Sequence, residues 1–234
     1  MHIVPAILPK SRKELAEKLA RLSQIPGVTR VQIDVVDGTF ATPPSWPYNA
    51  VGELADMVAH EEHLPRLGHI EYEIDLMNAD AQEAAGQWIA LGATRLTFHA
   101  EGIISLPEFF RRLHTRYGAG LPGLVSFGIA LNLSTDPALI ESCLSQVQYV
   151  QCMGIKTIGR QGQPFDARVV ERVRALRKKY PDLSVQVDGG VSLTTAPALI
   201  EAGVTDLVVG SVIVSAKDPA EVFKAFTALS ISMG

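Results

Sequence analysis

With 234 residues, 47% of them hydrophobic, the chain is long enough for one large core, and its formal charge of -4 supplies no basic field for nucleic acid or an anionic membrane. Any anion would therefore have to be held by a local site, and no apolar run reaches the roughly 18 residues that a bilayer span needs. "MHIVPAILPKSRKEL" lacks the basic start and cleavage site of a secretory signal, and Cys143 and Cys152 fall in a predicted helix and the next strand, so reduced thiols in a cytoplasmic protein are expected.

Short β-branched or apolar runs alternate with stretches of helical period from end to end. The predicted strands are 2–8, 30–36, 69–77, 94–100, 123–131, 147–153, 183–189 and 206–211. Between them, Ser11-x-x-Glu14, Asp80-x-x-Glu83, Ser105-x-x-Glu108 and Asp218-x-x-Glu221 have the spacing of capping boxes, and Asp136-Pro137 and Asp218-Pro219 put proline at a first helical position. Gly92, Gly118 and Gly203 follow helical runs and suit left-handed C-caps. In the helix predicted at 166–180, Val169, Val170, Val173 and Leu176 form the inward face; Arg172, Arg174, Arg177, Lys178 and Lys179 read as a solvated outer face. The one long connection, "GTFATPPSWPYNA" at 38–50, follows the second strand and reads as an active-site loop or lid.

Eight such units in one α/β domain, 1–234, predict a closed (β/α)8 barrel (TIM barrel), whose chemistry sits where strands end and loops begin. The C-terminal strand ends carry Asp34 and Asp37, Asp75, His99 and Glu101, Asn132, Met153 and Lys156, Asp188 with Gly189 and Gly190, and Gly210 with Ser211. Asp34, Asp75 and Asp188 are carboxylates inside apolar strands, which is costly unless they are paired, hydrogen-bonded or metal-bound. Asp37 before Gly38 reads instead as an acceptor of turn amides. Glycines directly after the last two strands let backbone approach a ligand closely, so Gly189, Gly190, Gly210 and Ser211 are the predicted phosphate cradle. Gly159, Arg160 and Gly162 lie in the loop that would close over it.

"PAIL", "QIDVVDGTF", "EIDLM", "TFHAEG", "IALN", "PFDARVVERVRALR", "VDGG" and "LVVGSVI" occur in an order and spacing that resembles the ribulose-phosphate 3-epimerase family over nearly the whole chain. The resemblance implies a phosphate-binding barrel that interconverts epimeric sugar phosphates. It makes Asp34 and Asp188 the catalytic pair and implies a divalent metal held by two histidines and these two aspartates. Here Gln32 and Asp75 stand where the histidines are expected, Pro9 replaces a serine, and "KTIGRQGQ" replaces a Pro-Gly-Phe-Gly-Gly loop.

Three readings follow. Gln32, Asp34, Asp75 and Asp188 form an all-oxygen set suited to Mg²⁺ or Mn²⁺; or the metal is gone and Lys156, His99 or Arg160 supplies positive charge; or catalysis is lost and the barrel only binds a phosphorylated ligand. His99 is more simply a hydrogen-bonded structural residue beside Glu101. An Asp-x-Lys-x-x-Asp strand pattern, expected of decarboxylases and aldolases on this type of barrel, is not matched by "IDVVDG". The apolar end "ALSISMG" suits either a homo-oligomer contact or packing on its own barrel.

Overall fold

A computed structural model describes residues 1–65, 68–118 and 124–233. Its strands are β1 (His2–Ile7), β2 (Arg30–Val36), β3 (Glu71–Met77), β4 (Arg95–His99), β5 (Ser126–Leu131), β6 (Tyr149–Met153), β7 (Ser184–Asp188) and β8 (Asp206–Val209). All pair in parallel and in sequence order, and β8 returns to β1, so the sheet closes as the alternation predicts. β2 runs over the predicted residues, while the other strands start later or stop sooner. Gly123, within the fifth predicted strand, lies outside the described residues. Gly210 and Ser211, predicted as the end of the last strand, leave it for a helix instead.

The helices are α1 (Arg12–Leu22), α2 (Glu53–Ala59), α3 (Ala81–Ala90), α4 (Leu106–Leu113), α5 (Arg168–Lys179), α6 (Ala196–Glu201), α7 (Ser211–Val214) and α8 (Pro219–Met233). Between β5 and β6, Pro137–Gln146 coils as 3₁₀ turns. Ser11, Asp80 and Asp218 cap their helices through side-chain oxygens that accept amides two or three residues on. Glu14 reaches back to the Lys10 amide at 2.7 Å, one residue beyond the expected partner, and Ser105 makes no capping bond. Gly92 and Gly203 take φ of +99° and +93°, as C-caps should; Gly118 instead ends a five-residue π turn after α4.

The outward faces of the strands and the inward faces of the helices form one continuous apolar core containing Ile33, Val35, Ile74, Leu76, Leu96, Phe98, Val169, Val173 and Leu176. The basic face of α5 is only partly solvated. Arg172 donates to the carbonyls of Asn132, Leu133 and Thr135 at 2.5–2.9 Å, and Arg177 to that of Leu183 at 2.6 Å, so both tie down loops. The 38–50 connection is anchored at its root. The Ser45 amide donates to Val36 O, the Trp46 amide to Pro9 O, and the Trp46 indole is buried edge-on against Trp88. No helix among the described residues is long and apolar enough to cross a membrane.

Candidate active site

The barrel interior is unusually polar. Gln32, Asp34, Glu73, Asp75, Thr97, His99, Gln151 and Gln186 are all buried. Their contacts run between strands that are not neighbours, such as β2 to β7 and β7 to β3, so these side chains point into the cylinder. Two small apolar clusters lie apart from the main core, Val4 with Ala6 and Val208, and Ala130 with Met153 and Ile155.

Asp34 and Asp75 are register partners at the ends of β2 and β3, and Asp188 closes the group from β7. Each of the three offers a carboxylate oxygen within 4.8 Å of the others. Between two of them lies the side-chain amide of Gln32, whose Nε2 donates to Asp34 Oδ1 and to Asp188 Oδ2, both at 2.8 Å. Asp75 is held from its other side, by His99 Nε2 at 3.0 Å on Oδ1 and by Gln151 Nε2 at 3.3 Å on Oδ2.

Burial is the main cause that raises the Asp34 carboxyl well above its ordinary range, with repulsion from Asp188 and Asp75 adding to it and the Gln32 bond opposing. Asp188, less enclosed, is pushed by burial and then by Asp75 up to about 7, again against the Gln32 bond. Repulsion between neighbouring acids favours the proton-bound form, and the shared donor opposes it. Burial pulls the His99 imidazole down, but the charge and hydrogen bond of Asp75 outweigh it and leave His99 above its ordinary value.

These acids form one wall of a cavity of about 270 Å³ at the barrel mouth. Gly189, Gly190, Gly210, Ser211, Gly159 and Gly162 all line it, together with Asp34, Asp75 and Asp188. The glycines after β7 are demanded by packing as well. Gly189 and Gly190 have φ of +100° and +68°, and a Cβ on Gly190 would stand 2.6 Å from Phe165 Cα. Arg160 is the one cationic side chain on the lining among the described residues, and its Nε donates to Thr42 O at 3.2 Å. Lys156 is exposed and off the lining, and His99 lies behind Asp75. The 38–50 connection does not line the cavity; its Phe40 ring sits 5.3 Å from the His99 ring, and the 159–163 loop forms that part of the wall.

Asp37 accepts the amides of Thr39, Phe40 and Ala79, each at 2.7 Å, which is the turn role expected of it. Glu101 accepts the Asn132 amide and the Thr135 hydroxyl, so the partner of His99 is Asp75 and not Glu101. Gln151, Gln186, Glu73 and Gln161 are residues of the site that strand-end reading missed. The first three stand two residues before Met153, Asp188 and Asp75, on the same side of their strands, and that period of two was the available signal. Gln161 donates to Ala6 O at 3.3 Å and covers Gly210.

The model of the ribulose-phosphate 3 epimerase family matches residues 2–214. The chain belongs to this family. It is 28% identical over 220 residues to the ribulose-phosphate 3-epimerase of Schizosaccharomyces pombe (94% of this chain, 90% of that one), and 28% identical over 224 residues to that of Bacillus subtilis (93% and 94%). Among solved structures, KGPDC from Streptococcus mutans in complex with D-R5P superposes with a TM-score of 0.72 at 15% identity, covering 99% of this chain and 98% of that one. The 3-hexulose-6-phosphate synthase of Salmonella typhimurium gives 0.67 at 15% identity over both full chains, and at such identities the likeness is one of fold.

The spacing of the three carboxylates suits a shared hard cation; of the four residues the sequence offers as ligands, Gln32 is the one that does not fit. Gln32 turns N–H groups, not its oxygen, toward Asp34 and Asp188, and an ion bridging that pair would lie close to the Gln32 nitrogen. Asp75 accepts one bond on each oxygen, from His99 and from Gln151, and each oxygen keeps a further lone pair.

Proposed function

We infer that this family member is a sugar-phosphate epimerase that moves a proton between the two faces of a ketose-phosphate carbon through Asp34 and Asp188. The observation that carries this reading is the pair itself: two carboxyls from β2 and β7, strands that are not neighbours, raised toward neutrality and joined through one amide, on the wall of a cavity large enough for a small metabolite. One carboxylate takes the proton α to the ketone and an enediolate forms. The other, protonated, returns a proton from the opposite side, and the configuration inverts. The Gln32 NH₂ donates one hydrogen to each acid and so holds the pair in register. The substrate phosphate would rest on the glycine backbone at 189–190 and 210, with the Ser211 hydroxyl and Arg160 at its edge.

Solvent deuterium incorporation into pentulose and hexulose phosphates tests this directly. The parent protein should label one carbon, and Asp34→Asn or Asp188→Asn should each lower the rate by about 10²–10⁴-fold. A thermal shift with sugar phosphate that survives in both variants, with no labelling by the parent, would show a barrel that only binds.

A further inference from the structure

The segment between Gly154 and Asp166 is closed at its base by the Asp166 amide, which donates to Gly154 O at 2.8 Å, and it brings one amide side chain onto the glycines of the cavity. Gly159 and Gly162 take φ of +80° and +75°, and the two residues between them bond to different elements. Arg160 Nε donates to Thr42 O at 3.2 Å, while Gln161 Nε2 donates to Ala6 O, in β1, at 3.3 Å. The Gln161 nitrogen stands 3.2 Å from the point that a Cβ on Gly210 would occupy, so the amide lies over the face that this glycine leaves open. Gln161 is half-buried, lines the cavity and makes no other hydrogen bond among the described residues.

Ala6 fixes the direction of that amide. A carbonyl oxygen only accepts, and reversing Gln161 would set oxygen against oxygen, so its nitrogen must face β1. The NH₂ group has two hydrogens, and Ala6 O takes one. We propose that Gln161 is a substrate-binding residue, giving its second amide hydrogen to a phosphate oxygen held over Gly210 while the bond to Ala6 keeps the amide in place. This rests on the epimerase reading for the position of the phosphate, and it adds the side chain that overlies Gly210. The donor is neutral and the acceptor charged, a pairing stronger than one between two neutral groups.

The test is calorimetric titration of the full-length protein with inorganic phosphate, with folding of each variant checked by circular dichroism. The parent should bind phosphate. Gln161→Ala, which removes the side chain, and Gln161→Met, which keeps its length without a donor, should each bind it about 10-fold more weakly, the worth of one hydrogen bond to a charged group. A side chain with only a structural role in the loop would lower Tm and leave the phosphate affinity unchanged. Unchanged affinity in the folded variants overturns the proposal, and tighter binding by Gln161→Ala does so too, since the side chain would then obstruct the cradle. A parent that binds no phosphate overturns it together with the phosphate placement. Where Gln161→Ala does not fold, Gln161→Met carries the comparison with the same outcomes. Deuterium labelling separates the two readings. Labelling by the parent with unchanged phosphate affinity in the variants removes Gln161 and leaves the epimerase; weakened binding in the variants with no labelling by the parent removes the epimerase and leaves Gln161 as a phosphate ligand.

Discussion

Asp188 and Asp34 bind protons more tightly in the folded protein than a free aspartate does, and this sets a direction for stability against pH. Asp188 rises from an ordinary 3.8 to about 7 because the barrel buries it beside Asp75. Folded protein therefore keeps a proton that the unfolded chain gives up, so this group's contribution to stability is full below about pH 4 and is lost as pH rises toward 7. An Asp188→Asn protein has no such group to ionise. The difference in Tm, variant minus parent, should grow from pH 5 to pH 7, and a difference that is flat across this range would show that Asp188 is not held in its neutral form. The aspartates were legible in the sequence because charge inside an apolar strand is expensive and so marks a site. His99 was legible as a residue at the mouth but not as the partner of Asp75, since the bond joins β3 to β4 side chains 24 positions apart.

At the scale of elements, polar residues recur at every second position into the barrel: Gln32 and Asp34 in β2, Glu73 and Asp75 in β3, Thr97 and His99 in β4, Gln186 and Asp188 in β7. β5 breaks this series with Gly128 for a steric reason. The Tyr149 ring of β6 lies across it, and a Cβ at position 128 would stand 2.2 Å from ring carbons. That ring in turn supports the Arg95 guanidinium, 3.9 Å above its centroid, and its hydroxyl meets that of Thr97 at 2.8 Å. Gly128→Ala should force the ring aside and cost about 1–3 kcal/mol, as overpacking in a filled core does, seen as a lowered urea midpoint at unchanged slope. The same guanidinium donates to Glu73 at 2.9 Å. Helix starts were read correctly where a side chain could reach an amide within its own turn, as at Ser11 and Asp80. The 3₁₀ coiling of 137–146 and the loop-tying roles of Arg172 and Arg177 were not legible, because they depend on which loops the barrel brings alongside.

For the whole molecule, closure is the decisive event. β1 pairs with β8, and outside the sheet the Arg21 guanidinium of α1 donates to the carbonyls of Val214, Ala216 and Lys217, tying the first βα unit to the last. Arg21→Ala should lower stability by about 0.5–1.5 kcal/mol, the usual worth of an exposed hydrogen bond to backbone, as measured by thermal unfolding; no change would mean that the strand pairing alone holds the seam. The sequence by itself determined the eight βα units, their order, the strand ends that carry the acids and the family, because hydrophobic period, turn residues and motif spacing are local properties of a chain. Only the closed barrel decided that Asp34 and Asp188 share one amide, that Asp75 pairs with His99 and that Lys156 stays outside. Those contacts join strands up to 156 residues apart, and a hydrogen bond's direction depends on the atoms that surround it in space, which no local pattern records.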